Sequence, residues 1–125
     1  MKAPILKQGP YLIASLQPEL TDTDLLQLQE ALVEQVGRFR SRGIILDVTT
    51  LDVMDSFATR TLHNIAQAVA LRGAEAVIVG IRPEVAFAMV QLGLDLRLSG
   101  VQTTLDLEEA LAILDRQHKE LGRRG

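Results

Sequence analysis

Asp47, Asp52, Asp55 and Ser56 fall within ten positions of one another and have the types that could do chemistry. Three carboxylates so close together can converge on a hard cation such as Mg²⁺, which takes oxygen ligands and usually shares them with a phosphate. They can also surround a hydroxyl with negative charge. A serine at a helix N-terminus is presented outward, and a phosphate carried there meets free backbone N–H groups. That phosphate would add about −1.5 to −2 of charge beside Asp52 and Asp55. It would repel an acidic partner docked on the loop and leave the fold intact. A purely structural use stays open beside these two: Asp55 caps the helix, Ser56 fills its first turn, and the other acids are solvated.

The rest of the chemical inventory is thin. His63 and His118 are the two histidines, each on a predicted helix. His118 falls near a helix C-terminus, where a cation is favoured, and reads as a surface residue. His63 flanks an apolar helix face; it lies seven positions from Ser56, two helical turns or roughly 10 Å, too far for a hydrogen bond. No Ser-His-Asp arrangement follows. Cysteine is absent, which excludes disulfides and thiolate zinc sites. No Gly-rich nucleotide fingerprint and no H-x-x-x-H spacing occurs. The residues therefore point to no catalytic group, cofactor or metal site, and the chain is expected not to be an enzyme.

The elements that must position the acidic cluster follow from periodicity. Residues 4–17 read as a hairpin turned at Gly9-Pro10. Thr21 to Asp24 has the form of a capping box. Leu25, Leu28, Leu32, Val36 and Phe39 then follow at helical spacing, with Gly43 as the stop. Residues 44–48 form an apolar run suited to a strand buried on both faces. A loop leads to Asp55-Ser56, which opens a helix with Ala58, Leu62, Ile65, Ala66 and Val69 on one side and Gly73 at its end. Residues 76–81 form a second buried strand. Pro83 starts a short helix over 84–92 that stops at Gly93. Residues 100–105 make a weaker strand, and Asp106 to Glu109 opens a last helix with Ala110, Leu111, Leu114 and Leu121 as its apolar side. The order ββαβαβαβα implies an α/β sheet with right-handed parallel crossovers. Asp47 to Ser56 then occupies the carboxyl end of a central strand, where open α/β sheets usually bind ligands and partners.

Composition narrows the class further. A chain of 125 residues is expected to be one domain, residues 1–125, and to fold without metal or disulfide. Aromatics make up 3% and tryptophan is absent, so there is no platform for stacking nucleic-acid bases. A net charge of −3 disfavours binding along a phosphate backbone. Neither a secretory signal nor an eighteen-residue apolar run is visible, so a soluble, cytoplasmic protein is expected.

Gly43-Ile-Ile-Leu-Asp-Val-Thr, followed by Asp55-Ser56 at a helix start, resembles the signature of STAS domains, the fold of bacterial anti-sigma factor antagonists. Pro4-Ile-Leu-Lys, Asp55-Ser56-Phe57, Val79-Gly80-Ile81-Arg82-Pro83, Leu92-Gly93-Leu94 and residues 104–108 resemble the single-domain, RsbS-type stressosome branch across essentially the whole chain. Phe57-Ala58 stand where the commoner antagonists carry Ser-Gly, which favours that branch over free RsbV-type antagonists. The resemblance implies a single STAS domain, with a mixed central sheet, an N-terminal hairpin and about four packed helices. It implies a non-enzymatic scaffold that co-assembles with RsbR-type STAS paralogues. Such a scaffold holds an RsbT-like serine/threonine switch kinase and releases it on phosphorylation. Ser56 takes the phospho-acceptor position. Asp47, Asp52, Asp55, Phe57 and Thr59 make up the expected switch and partner-binding loop, with Thr59 and Thr61 as nearby alternative acceptors. Two other readings stay open: a free RsbV-type anti-anti-sigma factor, and a Mg²⁺-dependent phosphoryl-transfer or hydrolytic enzyme using Asp47, Asp52 and Asp55.

Overall fold

Gly9, with φ +58, and Pro10 turn the chain between β1 (Ile5–Gln8) and β2 (Tyr11–Ser15). The two strands pair antiparallel, Ile5 opposite Ala14 and Gln8 opposite Tyr11. The computed structural model describes residues 3–93 and 101–124, with side chains through Lys119. Leu94, residue 100 at the start of the weaker strand, and the side chain of Leu121, all part of the sequence reading, lie outside the described residues.

α1 (Asp22–Phe39) begins with the expected reciprocal cap. The Asp24 N–H donates to Thr21 Oγ1 at 3.1 Å, and the Thr21 N–H donates to Asp24 Oδ2 at 2.9 Å. Leu25, Leu28, Leu32 and Val36 form its buried stripe. The end of the helix differs from expectation in two respects. Arg40, left-handed at φ 51, supplies the stop instead of Gly43, and Phe39 is 41% exposed instead of buried. Gly43 instead opens β3 (Gly43–Asp47). A Cβ on Gly43 would sit 2.8 Å from Leu114 Cδ2, so its smallness serves sheet–helix packing.

The remaining elements are α2 (Ser56–Leu71), β4 (Glu75–Val79), α3 (Pro83–Gln91), β5 (Gln102–Thr104) and α4 (Leu107–Arg124). The five strands lie in chain order, and every pair after the first is parallel. β4 ends before Ile81, where the apolar run had suggested its end. Gly80 takes φ +82 and backs onto Thr49, leaving no room for a Cβ.

Side-chain alternation divides the core into two layers. Leu12, Ala14, Ile44, Leu46 and Ile78 face the layer that holds Leu28 and Leu32 of α1, Leu62 and Ile65 of α2, and Val85 and Met89 of α3. Ile13, Ile45, Val77 and Val79 face the other way, onto Ala110 and Leu114 of α4. Each fully buried leucine or isoleucine contributes about 1.5–3 kcal/mol of transfer free energy. This sandwich fixes the strand ends from which the acidic loop departs.

Candidate functional site

Asp47 closes β3, and its carboxylate turns back on the chain that follows. Its Oδ1 accepts from the Thr49 N–H at 3.0 Å and from the Thr49 hydroxyl at 2.6 Å. Thr50 Oγ1 donates to the Leu16 carbonyl at 2.9 Å, which ties the start of the loop to the end of β2. Asp47 is therefore a turn-forming residue. Asp52 is 79% exposed and pairs at 2.7 Å with Arg82 Nη2, itself half exposed, at the N-cap of α3. An ion pair so open to water contributes little to stability, at most about 1 kcal/mol, but it sets where the loop lies.

Asp55 is the N-cap of α2, extended at φ −75, and its Oδ1 accepts from the Ala58 N–H at 2.7 Å. Ser56 follows as the first helical residue and is exposed. Its hydroxyl stands on the rim where the first N–H groups of α2 are free of intrahelical partners. Phe57 and Ala58 are half-buried against the core.

Thr59 does not join the presented surface. It is 2% exposed, and its hydroxyl donates to the Asp55 carbonyl at 2.9 Å. Thr61 is 3% exposed and donates to the Phe57 carbonyl at 2.8 Å. Both hydroxyls are engaged within the helix, so Thr59, expected in the switch and partner-binding loop, is buried in α2 and presents no hydroxyl to solvent. Ser56 is thus the exposed hydroxyl of this first turn.

The three acids are brought to one end of the sheet but not to one point. Asp47 faces Thr49, Asp52 faces Arg82, and Asp55 faces Ala58. Among the described residues no group of three or more His, Cys, Asp or Glu is placed to hold a metal ion. The shared Mg²⁺ site considered from spacing alone is therefore not formed by these carboxylates.

Sequence reasoning passed over two features. One is Arg82, thirty positions from Asp52, for which no local signal exists. The other is a groove of about 340 Å³ beside the loop, whose wall includes Leu16, Leu20, Leu25, Leu51 and Met54. Val53 stands at this groove and is 81% exposed. The signal was present: Leu51, Val53 and Met54 are apolar in a loop where polar residues would suffice. His63 is half-buried on α2. His118 is half-buried instead of on the surface, and its Nδ1 has no hydrogen-bond partner among the described residues.

A family model described as the STAS domain matches residues 3–110. The chain belongs to the STAS family. The mixed sheet, the hairpin and the four helices are the expected architecture of that family in this chain. The STAS chain is 34% identical over 98 residues to the RsbT co-antagonist protein RsbRA of Bacillus subtilis, covering 77% of this chain and 36% of that protein. It therefore spans about a third of the length of that curated relative. Among solved structures it is similar to a serine-to-glutamate variant of RsbS from Moorella thermoacetica. The TM-score is 0.85 and the identity 33%, covering 95% of this chain and 99% of that one. It is also similar to a chain in a structure of the stressosome, described as a signal integration and transduction hub. There the TM-score is 0.81 and the identity 35%, over 92% of this chain and 98% of that one.

Proposed function

We propose that this STAS protein is a non-enzymatic, cytoplasmic scaffold subunit of a stressosome-type assembly. It binds RsbR-type paralogues, sequesters an RsbT-like serine/threonine kinase and releases it when Ser56 is phosphorylated. The observation that carries the reading is the sorting of hydroxyls in the first turns of α2. Ser56 is exposed, whereas Thr59 and Thr61 are buried and committed to backbone carbonyls. Near-complete coverage of an RsbS chain supports the scaffold role, and similarity to a protein named an RsbT co-antagonist supports the kinase class.

The mechanism is local. A partner docked across the loop covers Ser56, the exposed Val53 and the adjoining groove. Phosphate at Ser56 puts roughly two negative charges in that contact, and desolvating them opposes docking. The N-terminus of α2 favours an anion there and Ser56 is outside the core, so the domain stays folded.

Incubation with an RsbT-like kinase and ATP, followed by mass-spectrometric mapping, tests the acceptor. Phosphate is expected on Ser56 and absent from Ser56→Ala. Labelling of Ser56→Ala to the wild-type level would overturn the assignment. Mixing the chain with an RsbR-type partner should give a particle of the megadalton class by gel filtration. A small dimer under every partner condition would contradict the scaffold role.

A further inference from the structure

Arg82 stands where a helix start least favours it. It is the N-cap of α3, a position suited to Ser, Thr, Asp or Asn, and its side chain makes no capping hydrogen bond. It also brings a cation to the positive end of the helix dipole. Its guanidinium reaches instead to the loop ahead of α2, where Nη2 lies 2.7 Å from Asp52 Oδ1.

The ground beneath this contact is fixed. The Val48 N–H donates to the Val79 carbonyl at 2.9 Å, Asp47 holds Thr49, and Gly80, at φ +82, backs directly onto Thr49. The two loops are joined at their roots, which keeps Arg82 within reach of the segment that carries Asp52. That segment is loosely held. Between Leu51 and Asp55 the pair with Arg82 is its polar tie among the described residues. Asp52 also lies alongside the start of α2, because Asp52, Asp55 and Ala58 line one groove. Four residues separate Asp52 from Ser56, at most about 14 Å of fully extended chain. Asp52 and Arg82 are both open to water, so they can part without leaving a buried charge.

We propose that Arg82 is the phosphate-binding residue of this site, and that phosphorylation of Ser56 moves its guanidinium from Asp52 to the phosphate. Phosphate brings about −1.5 to −2 of charge and three acceptor oxygens, which a guanidinium engages through two parallel N–H donors. Asp52 offers a single charge and is the weaker match. The exchange is confined to exposed side chains and leaves Asp52 as an unpaired carboxylate on the rim of the groove. One modification thus alters the charge that a docked partner meets at two places. The inference rests on the proposed role of Ser56.

Phosphoserine placed at position 56 during synthesis of the full chain tests the exchange without a kinase, so its failure and a failure of kinase labelling are told apart. The phosphorus NMR signal is followed over pH in wild type, Arg82→Gln, Arg82→Lys and Asp52→Asn, with circular dichroism on each. The second ionisation of phosphoserine ordinarily falls at about pH 6. Arg82→Gln should raise that value by about 0.5 or more, because the neighbouring cation is lost. Arg82→Lys should fall between, since it keeps the charge but not the paired donors. Asp52→Asn should lower the value, and by less in the Arg82→Gln background, where there is no guanidinium to release. In wild type, which needs no substitution, the Arg82 Nε–H signal should shift on phosphorylation and titrate together with the phosphorus. An Arg82 signal that phosphorylation leaves in place would overturn the proposal. So would equal phosphate titrations in folded wild type and Arg82→Gln, or an Asp52→Asn shift of the same size with and without Arg82.

Discussion

β3 and β4 are sealed on both faces, whereas the loop that leaves β3 toward α2 is held by a few polar contacts at its ends. Ile44, Ile45, Leu46 and Ile78 are wholly buried; Asp52, Val53 and Ser56 a few residues away are exposed. The first region sets stability through apolar burial. The second is an exposed surface whose course is held by contacts to Thr49, Asp55 and Arg82. On the proposed function, phosphate on Ser56 in the second region would separate signalling from folding, because charge added there disturbs no buried contact.

The comparison is sharpened first by cutting into the sealed region. Leu46→Ala removes a side chain with no exposed surface and should destabilise the protein by about 2–5 kcal/mol, read from urea unfolding midpoints. A loss under 1 kcal/mol would mean the sheet is not the stabilising unit described here. Tyr11 tests the same region by pH. Burial above all, then the hydrogen bond and charge of Asp115, pushes its phenol up to about 12. The protonated phenol thus favours the folded state. Its contribution should be complete below the ordinary value near 10 and disappear as pH climbs toward 12. Thermal unfolding of Tyr11→Phe should lose this component of the alkaline transition.

The loop should respond more weakly. Asp55→Ala removes the cap of α2 and should cost about 1 kcal/mol. Ser56→Asp should change stability by no more than roughly 0.5 kcal/mol, since Ser56 is a surface residue outside the core. It should nevertheless weaken kinase retention, though less than phosphate does, because a carboxylate carries less charge. A Ser56→Asp protein that unfolds like Leu46→Ala would erase the distinction between the two regions.

Much of this arrangement could be read before any coordinates. Near-continuous apolar runs over 44–48 and 76–81 located the sealed strands, and the Thr21 and Asp55 caps located the helix starts, because these signals are local. Thr59 was misjudged for a specific reason. The family resemblance put it in the switch loop, although it shares helical spacing with Leu62, Ala66 and Val69 on the buried side of α2. Burial is satisfied here by a bond to the carbonyl four residues earlier. The end of α1 was misplaced because an arginine in a left-handed conformation did what a glycine usually does. The Asp52–Arg82 pair and the groove beside Val53 depend on residues far apart in the chain, which only the fold brings together.

The most direct test of the central claim is the affinity of an RsbT-like kinase for two forms of the chain, unmodified and phosphorylated at Ser56. Calorimetric titration, with circular dichroism on both forms, measures it. The account predicts at least about a tenfold loss of affinity, or 1.4 kcal/mol, with an unchanged fold. Equal affinity for the two folded forms would contradict it.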